Sequence, residues 1–216
     1  MITNDFWLDR WQTGRIGFHQ EGVNPRLIEF WPQLPKNSRV LVPLCGKSHD
    51  LIWLAEQGYQ VTGVELSPLA VVQFLGDNDL SYETEQQGEL KIHTIMGLPL
   101  RIIEGDYFHF KEQDFDACYD RAAMIAMPES KRDLYVDHTK ARLKADPFVL
   151  LVALQHDGTP DTPPFAVDDD FIVNRWGNNI KKIVSENLVE TNLQYKERGY
   201  DFFEESVWHI TPPSAS

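Results

Sequence analysis

The chain is poor in basic residues and in cysteine, and both shortages limit what it can be. Its 20 Lys and Arg residues stand against 33 Asp and Glu residues, for a formal net charge of −13. A protein that binds DNA or RNA normally presents a basic surface, so nucleic-acid binding is disfavoured. The cysteines are Cys45 and Cys118 alone. Their spacing fits no metal site, and we expect two free thiols in a reducing compartment.

Long hydrophobic runs are also lacking. No apolar stretch is long enough to span a bilayer, so a membrane location is not expected. The first residues, MITNDFWLDRW, are acidic and aromatic, unlike a signal peptide. At 216 residues the chain has the size of one α/β domain and can bury a core without metals or disulfides. We therefore expect a soluble, cytoplasmic protein.

The most informative segment that is present runs from Arg39 to Ser67. An apolar run from Val40 to Leu44 predicts a buried strand, and Gly46 supplies a sharp turn. A helix follows and ends at Gly58. Residues 61–64 predict a second strand, with Glu65 at its carboxyl end. Ser48 or Asp50 is predicted to cap the helix.

An acid about 20 residues after a glycine turn holds the ribose hydroxyls in nucleotide-binding α/β folds. A carboxylate such as Glu65 suits this task because it can accept two hydrogen bonds from a diol. The single Gly46 disfavours a pyrophosphate ligand, which needs several glycines, and favours S-adenosyl-L-methionine. A phosphate-binding P-loop is rejected because Leu41 stands where its first glycine is required. A strand-turn-helix without any ligand is the remaining alternative.

Alternation of helices and strands predicts an α/β fold, a mostly parallel sheet with helices on both faces and an antiparallel edge. The polar segment Gly76–Gly88 is predicted to be irregular. Helices are predicted at Asn4–Trp11, Pro25–Trp31, from Ser67-Pro68 to Leu75, Glu129–Lys144 and Asp168–Trp176. Strands are predicted at Lys91–Ile95, Leu100–Glu104, Phe115–Tyr119, Phe148–Leu154, Ile180–Val189 and Ser206–Ile210.

Ligands of such sheets bind outside the carboxyl ends of the strands. The loops expected there are predicted to share one mouth. They are Pro43–Lys47, Glu65–Pro68, Gly105–Tyr107, Asp120–Met124 and Gln155–Phe165.

Several short segments occur together, in order, along nearly the whole chain. They are Trp7–Trp11, Gly17-Phe18-His19, Pro43-Leu44-Cys45-Gly46-Lys47, Gly63-Val64-Glu65-Leu66-Ser67, Asp120-Arg121-Ala122 and Pro163-Pro164-Phe165. Each is weak alone, but the combination resembles the thiopurine S-methyltransferase family. The resemblance implies one S-adenosylmethionine-dependent methyltransferase domain over residues 1–216, of class I Rossmann-like fold, with lid or substrate helices in residues 1–35. It also implies a monomer that methylates thiopurine sulfur, and in bacterial members selenium and tellurium compounds.

The resemblance also assigns the residues of the site. It places a set of residues on the cofactor: Trp11, Phe18, Leu44, Gly46, Glu65, Gly105, Asp106 and Arg121. Arg121 would also position the substrate, no general base is assigned, and no metal is implied. Asp106 departs from the apolar residue of mammalian members, and its carboxylate is suited to accept from the adenine amino group.

Each of these residues has a structural alternative. Trp7 and Trp11 also suit a core helix face, and Arg121 also suits an ion pair with Asp120 or Glu65. His19 is predicted to be a loop residue and not a base. The run Asp168–Asp170 predicts a solvated helix start and not a calcium site.

Three other functions stay open at this point. One is an NAD-dependent oxidoreductase, against which the poor glycine fingerprint speaks. The others are a methyltransferase for another small molecule and a cofactor-binding protein without catalysis.

Overall fold

The computed structural model describes residues 2–158, 161–177 and 179–211. The chain divides into two compact units, Met1–Cys118 and Tyr119–Ser216. A single methyltransferase domain over residues 1–216, with a lid in residues 1–35, stays a prediction. Within the described ranges, no helix combines the length and the apolar character needed to cross a membrane.

The first unit alternates helices with strands, as predicted. Its helices are α1 Asn4–Gln12, α2 Pro25–Phe30, α3 Asp50–Glu56 and α4 Pro68–Asp77. Its strands are β1 Arg39–Pro43, β2 Gln60–Glu65, β3 Tyr82–Gln87, β4 Leu90–Ile95 and β5 Leu100–Glu104, together with the start of β6, Phe115–Asp120. One 3-10 turn covers Tyr107–His109.

The strands of this unit lie in the order β3-β4-β5-β2-β1-β6. Strands β5, β2, β1 and β6 are parallel, with Val61 beside Leu100 and Val40 beside both Val61 and Ala117. Strands β3 and β4 add an antiparallel hairpin at the outer side. The α/β class and the mixed sheet are therefore confirmed. Parallel pairing places the carboxyl ends of β5, β2 and β1 next to one another.

Two predictions in this unit are wrong. Gly76–Gly88 is not irregular throughout, because residues 82–87 form β3, whose side chains are all exposed. Asp50 does not cap α3: it is the first helical residue, and its buried carboxylate accepts from the backbone N–H of Asn24 at 2.7 Å. The hydroxyl of Ser48 lies 3.2 Å from the backbone nitrogen of Asp50 and accepts its N–H.

The start of α4 matches the prediction. Ser67 has extended backbone geometry, and its hydroxyl accepts from the backbone N–H of Ala70. Pro68 occupies the first helical position, where a missing N–H costs nothing. The helix buries Phe74 and Leu75. The backbone N–H of Ser67 donates to the carboxylate of Glu65 and so holds the start of the helix at the end of β2.

The second unit holds antiparallel strands. Its strands are β7 Leu143–His156, β8 Ile180–Asn187 and β9 Phe203–Ile210, in the order β7-β9-β8. Its helices are α5 Glu129–Lys140, α6 Asp169–Trp176 and α7 Leu193–Glu197, with a 3-10 turn at Met124–Ala126. The predicted antiparallel edge is confirmed. Helix α5 is shorter than predicted because Leu143 already belongs to β7, and α7 was not predicted.

Candidate active site

The candidate site of the first unit lies at the carboxyl ends of β1, β2 and β5. Register places Pro43 beside Val64 and Glu65 beside Glu104. Backbone hydrogen bonds connect the turns that follow. The N–H of Cys45 donates to the backbone carbonyl of Val64, and the N–H of Gly105 donates to the backbone carbonyl of Glu65. Three of the five loops predicted to share a mouth therefore meet. The other two belong to the second unit.

The turn after β1 has an unusual backbone. Leu44 has a φ of 47° and Gly46 a φ of 55°, both in the left-handed region. That region costs an L-residue such as leucine about 1–2 kcal/mol, so the surrounding contacts must hold the turn in place. A Cβ on Gly46 would lie 3.3 Å from the Cζ2 atom of Trp11. The indole ring of Trp11 therefore covers this glycine closely.

Glu65 is a buried carboxylate held by backbone donors on both oxygens. One oxygen accepts from the N–H of Gly46 at 2.8 Å and the other from the N–H of Ser67 at 2.7 Å. The side chain is 6% exposed. Burial raises the pKa of Glu65 to about 7, although the N–H donors of Ser67, Gly46 and Leu66 act in the opposite direction. A carboxylate has about four acceptor positions, so those that the backbone N–H groups do not take are available to a ligand.

The helix α1 brings aromatic rings to the Gly46 turn. Trp11 is buried, and its ring centroid lies 5.7 Å from that of Phe18. The ring centroid of Trp7 lies 5.9 Å from that of Phe18. Trp11 is therefore buried, as expected of a core residue, and it packs against the turn of the candidate site. Its role as a lid residue stays a prediction.

The turn after β5 carries Gly105 and Asp106. Gly105 has a φ of 146°, and a Cβ there would lie 2.5 Å from a methyl group of Leu90, so glycine is required. The carboxylate of Asp106 accepts from the backbone N–H of Phe108 and from the side-chain amide of Asn4, both at 2.9 Å. Nothing in the sequence indicates that Asn4 contacts Asp106.

Arg121, the remaining predicted site residue, belongs to the second unit. It follows Asp120, which is 1% exposed and accepts from the backbone N–H groups of Ala123 and Met124 and from the hydroxyl of Tyr135. Burial raises the pKa of Asp120 to about 6. These contacts fix the turn that carries Arg121. Its role toward cofactor and substrate stays a prediction.

The other residues that the sequence analysis considered are the histidine His19, the two cysteines and the acidic run at the start of α6. The ring centroid of His19 lies 6.3 Å from that of His49. Cys45 and Cys118 are buried free thiols, as predicted, and burial raises the pKa of Cys45. Asp169 forms an ion pair with Lys182. Within the described ranges, no cluster of three or more His, Cys, Asp or Glu residues is placed to hold a metal ion.

Comparison with known proteins decides the family. The family model described as Thiopurine S-methyltransferase (TPMT) matches residues 2–212. This chain belongs to the thiopurine S-methyltransferase family. The Thiopurine S-methyltransferase of Azotobacter vinelandii is 41% identical over 214 residues, which cover 95% of this chain and 97% of the relative. That of Xanthomonas campestris is 40% identical over 219 residues, 97% of this chain and 99% of the relative.

Solved structures agree on the fold. A 1,6-didemethyltoxoflavin-N1-methyltransferase of Burkholderia thailandensis, with bound S-adenosylhomocysteine, has a TM-score of 0.65 at 14% identity and covers 96% of this chain and 87% of its own. A TehB-like SAM-dependent methyltransferase of Corynebacterium glutamicum has a TM-score of 0.55 at 18% identity, with coverage of 97% and 98%. Family and fold confirm the predicted enzyme class, an S-adenosylmethionine-dependent methyltransferase.

The geometry of the first unit fits S-adenosylmethionine. Glu65 offers acceptor positions at the end of β2, beside the Gly46 turn, whose backbone carries no Cβ at that glycine. A ribose diol and the chain attached to it need such a carboxylate beside a turn without a Cβ.

Cofactor affinity is expected to rise with pH through the pKa of Glu65. Burial raises this pKa from 4.5 to about 7, and ribose hydroxyls bind the ionised form better than the protonated form. The ionised fraction rises from about a tenth at pH 6 to about nine tenths at pH 8, so affinity for S-adenosylhomocysteine should rise about tenfold. Calorimetric titration at the two pH values measures this change.

The matched control for this titration is Glu65→Gln, which removes the ionisable group at the same length and should abolish the pH dependence. Wild type and variant with equal dependence would contradict the assignment. The contribution of Glu65 to folding stability changes with pH in the opposite direction to cofactor affinity. Between pH 4.5 and 7 the native protein holds a proton on Glu65 that the unfolded chain has lost, so the contribution of this residue to stability falls as pH rises.

Proposed function

We propose that this chain methylates the sulfur of aromatic or heterocyclic thiols such as thiopurines, and that selenium and tellurium compounds are further acceptors. The observation that carries the proposal is the buried carboxylate of Glu65 beside the left-handed Gly46 turn. The sulfur acceptor is supported by the curated relatives, which carry the name Thiopurine S-methyltransferase.

The cofactor is proposed to lie across the ends of β1, β2 and β5. Glu65 accepts from the two ribose hydroxyls through the acceptor positions that the backbone donors leave open. Gly105 and Asp106 border the adenine, and the carboxylate of Asp106 is suited to its amino group. Leu44 and Gly46 let the methionine part pass close to the backbone.

The protein contributes position and exclusion of water. When bound, S-adenosylmethionine supplies an electrophilic methyl group on its sulfonium, and the chain holds the acceptor sulfur in line with it. Such orientation can remove about 7–11 kcal/mol from the barrier. The ring of Trp11 covers Gly46, and Phe18 packs against that ring. No general base is assigned, because an aromatic thiol is largely thiolate near neutral pH.

Arg121 is proposed to attract the anionic thiolate in a protein of net charge −13. Arg121→Ala is expected to lower turnover with a thiopurine by about tenfold or more, because a charged contact to the substrate is lost. Steady-state kinetics with a fixed thiol measures this change. The control is Arg175→Ala, which removes a half-buried arginine paired with Asp133 and Asp137. If the two variants turn over equally, the role of Arg121 is wrong.

The test of the proposed activity is transfer of labelled methyl from S-adenosylmethionine to a panel of aromatic thiols, selenite and tellurite. Transfer to thiols is the expected result. Cofactor binding without transfer to any member of the panel would favour a non-catalytic binding protein. Transfer only to another class of small molecule would favour a different methyltransferase.

The remaining parts of the proposal concern assembly and location. We expect a monomer, which light scattering of the purified protein tests directly. The two buried free thiols suit a reducing compartment such as the cytoplasm.

A further inference from the structure

Helix α1 lies across the proposed cofactor site and is held near both ends. Near its start, the amide of Asn4 donates to Asp106, in the turn after β5. Near its end, the ring of Trp11 covers Gly46, in the turn after β1. Strand β2, which ends in Glu65, lies between these two strands. The helix therefore crosses the carboxyl ends of all three strands.

Simple dimensions agree with this arrangement. Seven residues separate Asn4 from Trp11, a rise of about 10.5 Å along a helix. Two spacings between neighbouring strands, from β5 across β2 to β1, measure about 9.6 Å. The helix is thus matched in length to the gap that it spans, and β2, which ends in Glu65, lies within that gap.

The two attachments of α1 differ in strength. Trp11 is 5% exposed and packs tightly, whereas Asn4 and its bond to Asp106 are exposed to solvent. Exposed hydrogen bonds open more easily than buried packing. Asp106 itself is held from the other side by the backbone N–H of Phe108, so its carboxylate stays in place when Asn4 leaves.

We propose that the hydrogen bond between Asn4 and Asp106 is a latch that closes α1 over the bound cofactor. Asn4 is then a positioning residue that sets how fast S-adenosylmethionine and its product leave. The inference rests on the proposed function, because it needs the cofactor at Glu65. The cofactor enters or leaves when the Asn4 end of α1 lifts while the Trp11 end stays packed.

The distinguishing variant is Asn4→Asp. An acid in the first turn suits a helix N-terminus, so α1 itself is not weakened. The latch is lost, however, since two carboxylates then face each other. Dissociation of S-adenosylhomocysteine, followed by stopped-flow fluorescence of the tryptophans, is expected to become about threefold to tenfold faster. The KM for the cofactor should rise by more than kcat changes.

Two further variants separate a latch from a general effect of charge. Thr3→Asp adds the same charge at the neighbouring, exposed N-cap residue, where an acid also suits the helix start, and should leave the dissociation rate unchanged. The exchanged pair Asn4→Asp with Asp106→Asn restores one donor and one acceptor. Backbone hydrogen exchange of α1 in the cofactor-free protein should be faster in Asn4→Asp and return toward wild type in the exchanged pair.

The outcomes are distinguishable. Wild type that binds S-adenosylhomocysteine, with equal dissociation in wild type and Asn4→Asp, would overturn the latch and leave the proposed function intact. Failure of the exchanged pair to restore slow hydrogen exchange would also count against the latch. Wild type that does not bind S-adenosylhomocysteine would overturn the proposed function, and the latch with it.

Discussion

Glu65→Ala is expected to weaken the binding of S-adenosylhomocysteine by about 100- to 10,000-fold. The variant loses two hydrogen bonds from ribose hydroxyls to a buried, charged acceptor, each of which contributes about 1.5–3 kcal/mol. The backbone donors Gly46 and Ser67 also lose their acceptor. The conformation of the Gly46 turn and the binding of the ribose therefore both depend on the side chain of Glu65.

Isothermal titration calorimetry measures this loss, and unfolding in denaturant shows whether the variant is folded. The matched control is Asp50→Ala, which removes another buried acid of the same unit that accepts from a backbone N–H. It should cost stability without changing cofactor affinity. A Glu65→Ala protein that binds as tightly as wild type would contradict the ribose assignment.

Asp120→Ala is expected to lower the free energy of unfolding by about 3–5 kcal/mol. The side chain is 1% exposed, and its removal leaves three buried donors without their acceptor: the N–H groups of Ala123 and Met124 and the hydroxyl of Tyr135. Each unsatisfied donor costs about 1–3 kcal/mol. Relief from burying a charge offsets part of this cost.

The pH dependence of this loss follows from the raised pKa. Burial raises the pKa of Asp120 from 3.8 to about 6, so across this interval the native state holds a proton that the unfolded chain has released. The stability that Asp120 contributes is greatest at the acid end of the interval and falls as pH rises. The difference in the free energy of unfolding between wild type and Asp120→Ala should therefore become smaller from pH 4 to pH 7.

Denaturant unfolding at several pH values tests both statements. Tyr135→Phe is the control, because it removes only the hydroxyl and should cost about 1 kcal/mol. An Asp120→Ala loss no larger than that of Tyr135→Phe would mean that the two backbone bonds contribute little to the turn before Arg121.

Local patterns were sufficient to predict the frame of the candidate site. A short apolar run, a glycine, a helix and a second apolar run ending in an acid correspond to β1, the Gly46 turn, α3 and β2. Each of these features acts over a few residues, so the sequence shows it directly. Glu65 follows from the same pattern, because the acid ends a strand that is buried along most of its length.

Contacts between distant segments could not be predicted. The amide of Asn4 bonds to Asp106, 102 residues away, and neither residue carries a pattern that indicates the other. Aspartate often caps helices, but Asp50 instead uses its carboxylate to accept from the backbone N–H of Asn24, in a distant part of the sequence. Strand β3 was missed because YETEQQ lies at an exposed edge and has no apolar alternation.

The central claim is that Glu65 holds the ribose beside the Gly46 turn. A crystal structure of the protein with S-adenosylhomocysteine tests it most directly. The account predicts both ribose hydroxyls within about 2.5–3.0 Å of the carboxylate oxygens of Glu65, under α1. A nucleoside bound elsewhere, with the Glu65 carboxylate touching only Gly46 and Ser67, would contradict it.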